Sequence, residues 1–343
     1  MSYIYTPDER VYVQVTHPWD GEIPNSSSPA AATVGDTDAV RHVLCTLGTV
    51  NSLIQSRAKT GSRSQLAGVA GRRGASFSLE VPLIGSGTAG TAPDIDPILE
   101  AIFGAVGTDT PATSVAYAFA DAVPGLTIFS FRDPTADNMW DRILAGGVVN
   151  QFSFSPNQDN TAALTVSGDG VYIVNKPNFS NLDTAGKCGL GVFPTEPSTP
   201  TYTGSEVPGF VGSATINSVG TFKLSSWGIS GALNRAMRPS HGSWYPDVTS
   251  QGVRQITVDL ELFEENIAAM TTLRQFVYSK GTFDATIVVG EDTGNTWTFT
   301  CNNLQAPSEE SDEGGNEYIL RLAGCVMTAT SAAAKDEFAL TIT

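Results

Sequence analysis

The sequence predicts a mainly β protein made of two tandem β-sandwich or partial-barrel domains, each with one α-helix. Three observations carry this: short segments recur in the same order, apolar residues alternate with period two through most of both copies, and one stretch per copy switches to helical spacing.

Leu44, Gly48 and Leu53 of LCTLGTVNSL (44–53) recur as Leu224, Gly228 and Leu233 of LSSWGISGAL (224–233), an offset of 224 − 44 = 180. SFSLEV at 76–81 is matched by TVDLEL at 257–262, where Leu79 and Glu80 recur as Leu260 and Glu261 at 257 − 76 = 181. ALTVS at 163–167 is matched by ALTIT at 339–343, an offset of 339 − 163 = 176. Chance resemblance does not preserve this order, and the period far exceeds the ~20–50 residues of solenoid repeats, so each copy is expected to be a whole domain. A length of 343 residues suits about two domains, each large enough to bury its own core.

The expected boundaries are an N-terminal arm at 1–30, a first domain at 31–174, a Pro/Gly-rich linker at 175–210 and a second domain at 211–343. The linker holds Pro177, Pro194, Pro197, Pro200 and Pro208, which exclude regular structure. In the second copy Ile256, Val258, Leu260 and Leu262 alternate with Gln255, Thr257, Asp259 and Glu261, which puts the acids on the face opposite the core. Phe77, Leu79 and Val81 against Ser76, Ser78 and Glu80 repeat the pattern in the first copy.

A helix follows in each. Asp96 is expected to cap the first, with Pro97 leading it, Ile98 and Ile102 inward and Gly104 ending it. Asn266 caps the second, Ile267, Met270, Leu273 and Val277 form its apolar stripe, and Gly281 after Lys280 stops it. Hairpins come next: Val115, Tyr117 and Phe119 lead to a Pro124-Gly125 turn. Phe283, Ala285, Ile287 and Val289 lead to a turn near Gly294, then to Trp297 and Phe299.

The charged fraction is 16%, below the roughly 25% of ordinary domains, which suits a surface that packs against copies of itself or a β-rich domain generally. The net charge of −16 argues against conventional DNA binding and anionic membranes. MSYIYTPDER lacks the features of a signal peptide, and no run reaches the ~18 apolar residues of a membrane span, so cytosolic synthesis without membrane insertion is expected. Cys45, Cys188, Cys301 and Cys325 show no metal-ligand spacing and read as buried or incidental thiols.

No catalytic, cofactor or metal site is assigned. GSGTAG at 85–90 matches a dinucleotide fingerprint, but Pro93, Asp94, Asp96 and Pro97 separate it from a helix, so it reads as a flexible loop. His17, His42 and His241 lie in no hydrolase or metal spacing. EESDEGGNE (309–317), with Glu309, Glu310, Asp312, Glu313 and Glu317, lacks calcium-loop periodicity and reads as a solvated hairpin tip. Arg57, Lys59, Arg63, Arg72 and Arg73 cluster on a glycine-rich loop without stacking aromatics, so docking on an acidic neighbour fits better than nucleic acid. Leu66 and Val69 add apolar surface there. The corresponding segment MRPSHGSWYPDVTSQG, from Met237, is equally long, and such loops are usually functional.

The strand ending in Val50-Asn51 or Leu233-Asn234, the long loop, the SLEVPL and TVDLEL strands, the helix, the hairpin and the closing strand near ALTIT together resemble the major tail tube proteins of long flexible-tailed bacteriophages (siphoviruses), in a tandem two-tube-domain form. The resemblance covers 31–174 and 211–343. It implies a structural virion protein, not an enzyme, whose inner strands oligomerise into a continuous β-barrel ring, with rings stacked into the tube that conducts DNA during ejection.

Glu80, Asp259 and Glu261 are then expected to line an acidic lumen. The loop at 57–73 is expected to reach the adjacent ring and meet the acidic hairpin. Two tube domains per chain predict a homotrimeric, pseudo-hexameric ring. The family implies a tape measure protein and tail terminator or tip proteins as further partners, and a virion tail assembled in the bacterial host cytoplasm. The alternatives are a tandem β-sandwich decoration or receptor-binding module of a virion, and an enzyme using GSGTAG as a phosphate site.

Overall fold

The computed structural model describes residues 9–16, 34–54, 68–132, 141–155, 161–176, 193–209, 212–216, 219–241, 245–246, 248–264, 267–314, 317–331 and 334–343. Period-two alternation becomes strand throughout. The first half holds Arg10–Thr16 (β1), Ala39–Val40 (β2), Leu44–Ile54 (β3), Val69–Pro82 (β4), Thr108–Thr110 (β5), Ser114–Ala118 (β6), Gly125–Phe131 (β7), Arg142–Ser155 (β8), Ala163–Gly170 (β9) and Tyr172–Asn175 (β10). The second holds Gly212–Ile216 (β11), Gly220–Ala232 (β12), Arg235–Arg238 (β13), Val248–Gln251 (β14), Gln255–Phe263 (β15), Phe283–Val289 (β16), Trp297–Leu304 (β17), Glu310–Gly314 (β18), Glu317–Val326 (β19) and Phe338–Ile342 (β20). Two α-helices lie among the described residues, Asp96–Phe103 (α1) and Ile267–Ser279 (α2). The protein is mainly β, and its large antiparallel sheets are not closed into a barrel.

Antiparallel pairing defines three large sheets and a small β13–β14 hairpin. Sheet I runs β3-β4-β9-β8-β12-β15-β19-β18. Sheet II runs β2-β1-β7-β8-β10, and sheet III runs β12-β11-β16-β17-β20-β6-β5. β8 belongs to two sheets and turns at Gly146, whose φ of 63° favours glycine.

The strand order is duplicated. Ladders β1–β7, β3–β4, β4–β9, β7–β8, β8–β9 and β8–β10 correspond to β11–β16, β12–β15, β15–β19, β16–β17, β18–β19 and β17–β20. The ALTVS and ALTIT matches do not mark equivalent strands. ALTVS lies in β9, whose counterpart is β19, whereas ALTIT lies in β20, the counterpart of β10.

The cores of the two halves are continuous. One apolar cluster joins Val11, Leu79, Ile102 and Phe154 to Trp227, Leu260, Phe299 and Phe338. Phe338 stacks on Phe103 at 5.6 Å and on Phe299 at 6.2 Å between ring centroids, bridging the halves. Residues 10–16, expected in an arm, are an integrated strand with Val11, Tyr12 and Val13 fully buried.

Several local expectations change. Asp96 does not cap α1: Ile95 holds the cap position, and the Asp96 carboxylate accepts the Tyr117 hydroxyl at 2.6 Å. Gly104 ends α1 with a left-handed backbone and donates to the Glu100 carbonyl, as expected. On α2, Met270, Leu273 and Val277 are buried, the left-handed residue is Lys280 rather than Gly281, and Asn266 lies outside the described residues. β6 does not form a hairpin with β7; it pairs with β5 and crosses to β20 of the second half. Residues 193–209 of the linker form no strand but are tied down: Val207 is buried, and Thr203 donates its N–H to Asp94 at 2.8 Å.

Candidate functional site: the polar face and open edges of sheet I

In sheet I, alternation sends one side-chain set into the core and the other to a continuous polar face. Thr46, Ser76, Ser78, Thr165, Ser167, Gln151, Ser153, Ser230, Thr257 and Gln255 belong to it by register. Where β8 meets β12, this face forms an open groove of about 350 Å3 lined by Gln151, Ser153, Thr165, Ser230 and Thr257 among others. Seven of its ten lining residues carry a hydroxyl or an amide, and Phe152, Gly231 and Ala232 complete it.

Glu80, Asp259 and Glu261 all occupy this face, as their alternation predicted. Asp259 accepts the Gly324 N–H at 2.6 Å, and Glu261 pairs with Arg321 at 3.0 Å. Asp169 and Glu310 are also on it, so among the described side chains five carboxylates share the face with Arg321.

The halves are joined within sheet I by a ladder pairing Ile229 with Phe154, Ser230 with Ser153, Gly231 with Phe152 and Ala232 with Gln151. The pairing slips steadily across it. From Glu80 the row passes through Thr165, Ser153 and Ser230 to Thr257, while the counterpart of Glu80 is Glu261, a slip of 261 − 257 = 4 residues per half. Among the described residues, the outermost strands β3 and β18 each pair on one side only.

Of the basic cluster, Arg57, Lys59, Arg63 and Leu66 lie outside the described residues. Val69, Arg72 and Arg73 are not in a loop: they begin β4 and pair back on β3 in a projecting hairpin stem. Residues Thr49–Ile54 of β3 are all exposed, so both faces of the stem meet solvent. Arg72 and Arg73 are exposed, and Arg73 donates to the Tyr245 hydroxyl at 3.4 Å.

The acidic segment is an edge strand rather than only a hairpin tip. Glu310 lies opposite Arg321, and Glu309 approaches Arg274 at 3.7 Å. The side chains of Asp312, Glu313 and Glu317 lie outside the described set. The second copy's long segment instead forms β13–β14 and folds onto the first half, with Met237 and Tyr245 against a cluster containing Tyr172 and Phe193.

GSGTAG is not a flexible loop but a latch between halves. Gly85 N–H donates to Asn295 Oδ1 at 2.7 Å and Gly87 N–H to the Gly294 carbonyl at 3.2 Å, so these amides are not directed at a phosphate. A side chain on Gly85 would collide with the Gly294 carbonyl. His42 is driven below its usual pKa by burial, and His17 lies outside the described residues. Cys45, Cys301 and Cys325 are buried free thiols; Cys188 lies outside the described residues. Among the described residues there is no metal-binding cluster of three or more His, Cys, Asp or Glu, and no helix long and apolar enough to cross a membrane.

Sequence reasoning missed Arg235. Its guanidinium is buried at the end of α1, donating to the carbonyls of Ala101 at 2.5 Å and Ile102 at 3.2 Å. An Arg directly after Asn234 carries no signal of this, because its partners lie 133 and 134 positions earlier. Against known proteins, the chain matches no family model and no curated protein.

Proposed function

We propose that the chain is a structural subunit of a phage tail tube, three copies closing a ring whose acidic lumen conducts DNA. The observation that carries this is the pair of free edges of sheet I. β3 is the counterpart of β12 and β18 is the counterpart of β8, so the two free edges match the two strands already joined at the chain's centre. A β18–β3 ladder between copies repeats the internal joint, puts Gly48 opposite Glu310 and removes both exposed edges.

The slip supports a tube. Four residues at ~3.3 Å against four strands at ~4.8 Å give a strand tilt of ~35°, in the range of closed barrels. Each half then spans ~23 Å of circumference, and six halves give a strand cylinder ~45 Å across, leaving ~35 Å after side chains. Four halves would leave only ~20 Å, too little for a hydrated duplex. A face that sets five described carboxylates against Arg321, itself paired with Glu261, and otherwise carries hydroxyls and amides gives a passing phosphate backbone little to adhere to.

On this reading the protein performs no catalysis. Arg57, Lys59 and Arg63 contribute to the contact between rings, and the tape measure protein and tail terminator or tip proteins are its other partners. The virion tail is its place, after assembly in the bacterial host cytoplasm. Electron microscopy of concentrated purified protein tests it: tubes with a continuous lumen are expected. Monodisperse small particles would instead favour a decoration or receptor-binding module.

A further inference from the structure

Equivalent strand ends are used differently in the two halves. In the second, the β12–β15 ladder continues into β13–β14, where Arg235 opposes Gln251. In the first, Leu53 opposes Ala70. These positions correspond: 251 − 70 = 181 matches Glu261 − Glu80, and 235 − 53 = 182 matches Ser226 − Leu44, the residues opposite those glutamates.

Within the chain, the Arg235 position seats on the end of α1 at Ala101 and Ile102. Among the described residues, the first-half counterpart has no such seat. Leu53 is 64%, Ile54 61% and Val69 66% exposed. Both helices stop at a left-handed residue, Gly104 and Lys280, so Ile102 corresponds to Tyr278, since 104 − 102 = 280 − 278 = 2. Tyr278 is 92% exposed.

We infer that Leu53 of one copy packs on Tyr278 of the next copy in the same ring, as Arg235 packs on α1 within the chain. The inference rests on the tube reading and deepens it by naming a lateral contact separate from the strand ladder. Its chemistry differs from the internal joint in a sensible way. The contact within the chain forms during folding and can bury a guanidinium on helix carbonyls. The contact between chains forms from two solvated surfaces, where an aliphatic side chain on an aromatic ring requires no charge to be desolvated. It also assigns the hairpin stem to the neighbour beside it, leaving only the part beyond Ile54 to meet another ring.

The test uses the full chain with Leu53→Cys and Tyr278→Cys together, assembled and treated with a short bis-maleimide, with each single variant as control. Three-chain rings by native mass, with covalent products that stop at three chains, are the expected result. Products continuing past three chains would assign the contact to stacked rings and overturn the inference. So would three-chain rings giving no product beyond the single-variant controls, which leaves the tube reading standing. A chain that stays monomeric by mass removes the tube reading and this contact with it. Should the paired cysteines block assembly, Leu53→Asp carries the test: a retained circular dichroism spectrum with assembly reduced at least ~10-fold supports the contact, and unchanged assembly overturns it.

Discussion

Arg235 is the residue on which the two halves most plainly depend. Burial, together with the nearby Arg254 charge, pushes its pKa down to about 10, yet at neutral pH it remains a cation at a helix C-terminus, where the helix dipole favours it. Arg235→Met removes donors from two buried carbonyls, and the expected loss is about 2–4 kcal/mol in urea unfolding. Arg235→Lys should not recover it, because a single ammonium cannot reproduce the fork that reaches both carbonyls. A loss under ~0.5 kcal/mol for Met would contradict the role. Asp96 is a second residue with a measurable consequence. Burial raises its pKa above 3.8, the Tyr117 hydrogen bond opposes the rise, and Asp109 adds to it. The folded chain therefore holds this proton more tightly than the unfolded chain does. Its contribution is most favourable below the unfolded value and is lost as pH rises through the folded one. Relative to the parent, Asp96→Asn should thus gain stability as pH rises from 3 through the acid range, whereas a constant difference would contradict the shift.

At the scale of elements, the halves are held by the β8–β12 ladder, by β6 crossing to β20, and by the Phe338 cluster between them. Phe338→Ala should cost about 3–5 kcal/mol. Because the cluster is shared, the expected unfolding is one transition that moves as a whole; a first half that unfolds separately at its original midpoint would contradict the shared core. This is also where the sequence was partly legible. Ile256, Val258, Leu260 and Leu262 are buried, and Asp259 and Glu261 lie opposite them, because a period of two reports a side chain's face directly. It does not report register. The string match equates Leu44 with Leu224, but the ladder equates Leu44 with Ser226, a slip of two that leaves every face unchanged and so leaves no trace in the pattern. Nor does it report partners. Val115 and Tyr117 alternate as predicted, yet their strand joins residues more than 200 positions away.

At the scale of the whole molecule, the proposed lumen makes a salt-dependent prediction. Glu80→Lys, Asp259→Lys and Glu261→Lys together add 3 × 2 = 6 positive charges per chain on one face. Tubes should still form, and DNA ejection should slow at low salt and recover at high salt, as phosphate contacts to lysines do. Ejection unchanged across salt would place these residues away from DNA.

In the proposed tube, sheet I repeats its internal joint between copies until it closes. A three-dimensional electron-microscopy reconstruction of tubes from purified protein tests it most directly. The expected ring has three chains and one continuous barrel of 8 × 3 = 24 strands, with β18 of each chain paired to β3 of the next and strands tilted by ~35°. A ring of six chains, or one in which β3 and β18 do not pair, would contradict it.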